Sequence, residues 1–289
     1  MLPAPEYQGA AGLNFFTADR LLQAILTRLL PPDARARELE SLTAFGELCG
    51  GRLGQLIEQA HREENLPRLV KYDRWGARID MIEYCSEQLA ARRMVVASGV
   101  LPPRPPLVRA AMNYLLNQNG EGGITCPLAM TDGLITLLED HGTPEQKRRW
   151  LSLLRDPGGP TPLTAGQFVT ERQGGSNVGA NETRAEQGAD GRWRLTGLKW
   201  FCSNPGELSV TTAKPVGSDR VALFLMMRRL ADGRLNEAHL LRLKEITGTR
   251  GKATAEVEYR GAEAELIGRA SHGMALLLRT VLKTSRINT

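Results

Sequence analysis

The stretch Val169-Thr170-Glu171-Arg172-Gln173-Gly174-Gly175-Ser176-Asn177 is polar and carries two adjacent glycines. Gly174 and Gly175 permit positive φ and a close backbone approach, which exposes amide donors. Thr170 and Ser176 add hydroxyls. Such a loop suits a planar ligand that bears phosphates, and equally a plain turn at the start of a β-region. Further along, Gly197-Leu198-Lys199-Trp200-Phe201-Cys202-Ser203-Asn204 sets two adjacent aromatics in a strand just ahead of a small hydroxyl residue. An aromatic can cover a ring system while a nearby hydroxyl or amide bonds its polar edge, although neighbouring strand aromatics more often belong to a core. Each segment alone is ambiguous.

Upstream of the loop the apolar spacing is helical. Thr17 reads as an N-cap for a helix with the stripe Leu21, Leu22, Ile25, Leu26 and Leu29, stopped at Pro31-Pro32. A second stripe runs through Leu39, Leu42, Phe45 and Leu48, then Leu53, Leu56, Ile57 and Ala60, with a break at Gly50-Gly51. The proline-rich stretch 101–106 is a loop, and Val108 to Leu116 reads as a further helix. Thr143-Pro144-Glu145-Gln146 is a capping-box start, with Trp150, Leu151 and Leu154 as the buried face that follows. The loop Asp156-Pro157-Gly158-Gly159-Pro160 marks a domain boundary.

Beyond it the period becomes two. Trp193 and Leu195 alternate with Arg192 and Arg194 after an Asp190-Gly191 turn. Val221 to Met227 is a buried-strand run followed by a second turn at Asp232-Gly233. Ala255, Val257 and Tyr259 alternate with Glu256, Glu258 and Arg260, as in a strand with one wet face. Helical spacing returns at Met274, Leu277, Leu278, Val281 and Leu282. The expected class is α+β: an N-terminal helical domain over 1–160, a β-barrel-like middle domain over 161–268, and the start of another helical domain over 269–289.

At 289 residues, with 42% hydrophobic residues spread along it, the chain can bury a sizeable core and is not a disordered sequence. A charge of +5 and a pI near 9.2 favour polyanionic partners, among them nucleotide cofactors, coenzyme A and nucleic acid. The doublets Arg92-Arg93, Arg148-Arg149 and Arg228-Arg229 are scattered and read as solvated faces. Cys49, Cys85, Cys126 and Cys202 lie far apart, which argues against zinc and for reduced thiols in a cytoplasmic protein. No apolar run approaches membrane-spanning length, and the start resembles no signal peptide. There is no G-x-G-x-x-G, Walker A, H-E-x-x-H or G-x-S-x-G motif, and the four histidines are isolated.

Taken in order, the two opening segments resemble the acyl-CoA dehydrogenase family, whose T-E-x-x-x-G-S-D loop and G-x-K-x-[WF]-I-[TS]-N strand jointly hold FAD. Thr170, Glu171, Gly175 and Ser176 match the first pattern, and Gly197, Lys199, Phe201, Ser203 and Asn204 the second. The helix start at residues 141–147, the segment Lys244 to Gly251, and Leu266-Ile267-Gly268 with His272-Gly273 are similar to further family signatures. Tyr72-Asp73, Ile124-Thr125-Cys126-Pro127 and Gln173-Gly174-Gly175-Ser176 stand closest to the AidB-like branch, named for the adaptive response to DNA alkylation.

The resemblance implies FAD contacts from Val169, Thr170, Gly174, Gly175, Ser176, Phe201, Cys202 and Ser203. Thr170 and Ser203 would hydrogen-bond the flavin and Phe201 would pack on it. It implies an acyl-CoA substrate dehydrogenated at its α,β bond, an electron-transfer flavoprotein as acceptor, and a homo-oligomer for a full-length chain. The AidB-like wording makes DNA an alternative partner. Asn177 replaces the family's aspartate and Cys202 its isoleucine. Relatives end in a four-helix domain that carries the catalytic glutamate, and the chain is expected to hold only the first of those helices. Ser285, before Arg286, stands at one position of that base, so the catalytic residue is unknown. The helix at 274–282 is expected to leave Met274, Leu277 and Leu278 uncovered, as in a fragment of a longer gene product.

Overall fold

The computed structural model describes residues 9–10, 12–156 and 162–284. Its helical half opens with the short α1 (Phe15–Ala18), capped by Asn14, whose side chain accepts from the Phe16 and Thr17 amides. Next comes α2 (Arg20–Leu29). Its cap is Asp19, which accepts from the Leu22 amide at 2.8 Å, and not Thr17, which lies inside α1. The α2 stripe is only half covered: Leu26 is buried, whereas Leu21 is 72% exposed and Ile25 and Leu29 also face out.

Pro32 begins α3 (Pro32–Leu48), as suits a residue with no amide hydrogen to satisfy. A wide turn over Cys49–Leu53, with Gly51 outside helical geometry, then joins it to α4 (Gly54–Ala60). The glycine break is where the sequence places it.

An antiparallel hairpin, β1 (Arg68–Tyr72) and β2 (Arg78–Glu83), interrupts the helices, a feature the helical reading of this half misses. Its anchor is the buried Asp80, which pairs with Arg78 at 3.1 Å and accepts from the Leu240 amide at 3.2 Å. The helices continue as α5 (Ser86–Ala97), α6 (Pro106–Asn117), α7 (Thr125–His141) and α8 (Pro144–Arg155). The capping box of α8 forms as read: Thr143 Oγ1 accepts from the Gln146 amide at 3.2 Å, and Gln146 accepts from the Thr143 amide at 3.0 Å. Most of the boundary loop after Asp156 lies outside the described residues.

The remaining strands are β3 (Ala165–Phe168), β4 (Arg184–Gln187), β5 (Trp193–Ser203), β6 (Leu208–Pro215), β7 (Ala222–Met227), β8 (Ala238–Leu243) and β9 (Thr254–Ile267). Pairing runs β4–β5–β9–β7–β6 and returns to β4, so five strands close into a barrel; β3 adds to β6 and β8 to β9. Closure leaves these five strands without a free edge. Phe168, Leu195, Cys202, Phe224, Val257 and Tyr259 fill the interior.

The other face of the barrel shares one core with the helices, in which Val210, Leu223 and Leu225 join Leu134, Leu137 and Leu138 of α7. The wet face expected on β9 is only partial, because Glu256 is buried beneath Arg242 and Lys244 of the β8 side. The last helix, α9 (Gly273–Leu276) with the wide turn Leu277–Val281, is not bare. Leu277 and Val281 are fully buried, Met274 packs against the core, and of the three residues expected to lie uncovered only Leu278 does. A helix can thus complete a face using neighbours already present, here α7 and β7.

Candidate functional site

The two segments that open the sequence reading meet at one end of the barrel. β5 enters from the Asp190-Gly191 turn with Leu195 pointing inward, and a bulge against β9 falls between Lys199 and Cys202. Both bulge-flanking residues face the barrel interior. Trp200 and Phe201, between them, therefore turn outward side by side, and Phe201 is 43% exposed. The Trp200 amide donates to the Thr170 carbonyl at 2.9 Å, which ties the loop to the strand directly.

A buried polar network fixes that arrangement from below. Lys199, 0% exposed, donates to Glu171 at 2.7 Å and to Thr212 Oγ1 at 3.0 Å. Glu171 also accepts from the Glu182 amide at 2.6 Å and from the Thr183 hydroxyl at 2.6 Å. Asn181 donates to the Val169 carbonyl at 2.9 Å and to Thr212 at 3.0 Å, while Gln173 donates to Asn181. Burial works against a charge on Glu171, but the Lys199 ammonium and these donors outweigh it, so its carboxyl stays below the usual 4.5. A pair this deep is retained when every lone pair finds a donor, and here it holds Thr170 and Trp200 in fixed relation.

Above the network lie the expected ligand groups. Gly174 has φ +123, and a side chain on Gly175 would come within 2.6 Å of Thr170 Oγ1, so both glycines are required. The hydroxyls of Thr170, Ser176 and Ser203 make no hydrogen bond among the described residues. Val169 and Ser203 are half buried and Ser176 is exposed. Cys202 differs, because its side chain is wholly inside the barrel and its thiol is pushed above the ordinary range by burial. Only the Cys202 backbone can face a ligand. Ser285 lies outside the described residues.

Several contributors are given no cofactor contact by the resemblance. Trp200 lies under two cations, Lys244 Nζ 3.4 Å and the Arg172 guanidinium 4.8 Å from its ring centroid. Lys244 is 5.9 Å from the Phe201 ring as well and donates to Glu256 at 2.7 Å. The outward aromatics thus sit in a positive field suited to an anionic cofactor. The Lys199–Glu171 pair does leave a signal: Lys199 shares the parity of inward Leu195, and a lysine on an apolar face requires a buried acid. Asn204, with φ +51, turns the chain after the site and donates to Thr164 Oγ1 at 3.0 Å. Among the described residues no His, Cys, Asp and Glu cluster could hold a metal ion, and no helix is long and apolar enough to cross a membrane.

The architecture recurs in known proteins. Residues 7–157 match the family model of the adaptive response protein AidB N-terminal domain, just over half the chain. The chain is 34% identical over 284 residues to acyl-CoA dehydrogenase family member 11 of Caenorhabditis elegans, covering 91% of itself and 46% of that protein. It is 33% identical over 286 residues to the putative acyl-CoA dehydrogenase AidB of Escherichia coli (strain K12), covering 92% of itself and 51% of that relative. The solved structure of Caenorhabditis elegans ACDH-11 in complex with C11-CoA superposes with a TM-score of 0.87 at 30% identity, covering 100% of this chain and 52% of that one. The chain therefore spans about half the length of these relatives. It belongs to the AidB N-terminal-domain family, within the acyl-CoA dehydrogenases.

Proposed function

We propose that the chain binds FAD on the face formed by the 169–177 loop and the end of β5, as part of an oxidoreductase that dehydrogenates an acyl-CoA thioester. The observation that carries this reading is the outward Phe201 beside the unengaged hydroxyls of Thr170 and Ser203, an aromatic cover adjoining free hydrogen-bond groups. In this reading Phe201 packs on the flavin ring, Thr170 and Ser203 bond its polar edge, and the Gly174 and Gly175 amides with Ser176 serve the phosphate-bearing portion. Val169 and the Cys202 backbone line the same face. Bound FAD supplies the acceptor for the electrons that leave the acyl group. The barrel's work is to hold that group still and shield one side from water.

Abstraction of the α-proton requires a base at the α-carbon, and no described residue is assigned to it. An electron-transfer flavoprotein as acceptor and self-association belong to the same reading. The second reading is a flavin-bearing, DNA-associated protein with little turnover, supported by the AidB family match and the pI near 9.2. One preparation tests both: the FAD-loaded chain is titrated anaerobically with acyl-CoA while its visible flavin band is followed, and duplex DNA binding is measured across salt. Bleaching without DNA binding supports the dehydrogenase. Salt-sensitive DNA binding without bleaching replaces it with the second reading.

A further inference from the structure

The hairpin, α5 and the segments that precede β3 and follow β5 line a cavity of about 480 Å³. That is ample for a small ligand. Its apolar wall comes from Ile79, Met81 and Ile82 of β2, Leu89 of α5 and Leu163 ahead of β3. Arg92 of α5 contributes to the same wall and is only 3% exposed. Its Nε donates to the Gly123 carbonyl at 2.9 Å and its guanidinium lies 4.4 Å from the Tyr84 ring centroid. Nη2 finds no hydrogen-bond acceptor.

Among the described residues no acid forms a contact ion pair with it. Glu121 interacts with the charge of Arg92 and accepts from the Gly123 amide at 2.8 Å, but makes no hydrogen bond to the guanidinium. Glu207, also on the cavity wall, pairs with Arg228 at 3.2 Å. Thr164 and Asn204, the polar groups alongside, bond each other. A guanidinium drawn out of water with one nitrogen left unbonded is unfavourable, and an aromatic face offsets only part of that loss.

We infer that this cavity binds a small amphipathic carboxylate, its head inward on Arg92 and its aliphatic tail along Ile79, Met81, Ile82 and Leu163. A planar carboxylate matches the guanidinium fork, and the tail would cover Met81, which is 40% exposed at the rim. The site requires no flavin. Calorimetric titration of the 289-residue protein with octanoate, and with octan-1-ol as the uncharged match, tests it. Octanoate should bind saturably at one site, Arg92→Met should weaken it by about tenfold or more, and octanol should bind poorly to both. Leu89→Trp, which fills the cavity, should abolish octanoate binding and decides the matter if Arg92→Met fails to fold. Octanoate binding no tighter than octanol, or undiminished in Leu89→Trp, overturns the inference.

Discussion

Lys199 and Glu171 lie beneath the candidate flavin face rather than on it, so their effect is on position and stability. Replacing Lys199 with methionine strands the Glu171 carboxylate in the barrel, and urea unfolding should show a loss of about 3–5 kcal/mol. Removing both charges, as in Lys199→Met with Glu171→Leu, should recover a good part of that loss. Because the Glu171 carboxyl is held below its usual 4.5, its contribution is present above that value and disappears as pH falls through the folded-state value. Thermal midpoints measured from about pH 6 down to about pH 3 should therefore fall less steeply for Glu171→Gln than for the parent protein. The pair was half legible in sequence: the parity of β5 turns Lys199 inward, but the partner comes from a separate loop. Cys202 reads as a cofactor contact by its place in the motif, and the bulge that turns its side chain into the barrel is set by pairing with β9.

Elements whose signals are local follow the sequence closely. The α8 start is written in Thr143 and Gln146, and Thr143→Ala should cost about 1 kcal/mol in chemical denaturation by removing the cap. The β1–β2 hairpin left no comparable trace. Its strands mix charged and apolar residues, and what secures them is distant in sequence: Arg228 donates to the Ile79 carbonyl at 2.6 Å and Arg78 to the Asn236 carbonyl at 2.9 Å. The cover over Leu277 and Val281 is likewise tertiary, so the apolar spacing of the final helix does not reveal it. Gly166 in β3 carries a different constraint, because a side chain there would meet Phe168 Cε1 at 2.5 Å and the Ser203 carbonyl at 2.8 Å. Gly166→Ala should destabilise the chain by about 1–3 kcal/mol and also displace the end of β5, weakening flavin binding measured by fluorescence.

At the scale of the molecule, helices and barrel share a core, so a cofactor held at the barrel's end stabilises more than its own loop. Free FAD at about a hundred times its dissociation constant should add about 2.7 kcal/mol to unfolding. The helical-then-strand order was legible from the change in apolar period near residue 160, and the closed barrel was legible only through the paired motifs, because closure depends on β6 meeting β4 and β7. The proposed function requires that end of the barrel to be a flavin platform. Its most direct test is titration of the purified chain with FAD, following flavin fluorescence, in the parent protein and in Phe201→Ala and Ser203→Ala. Saturable binding at one site, weakened about tenfold or more in both variants while their circular dichroism stays unchanged, is the predicted result. A parent chain that leaves FAD free in solution, or variants that bind it as tightly as the parent, would contradict it.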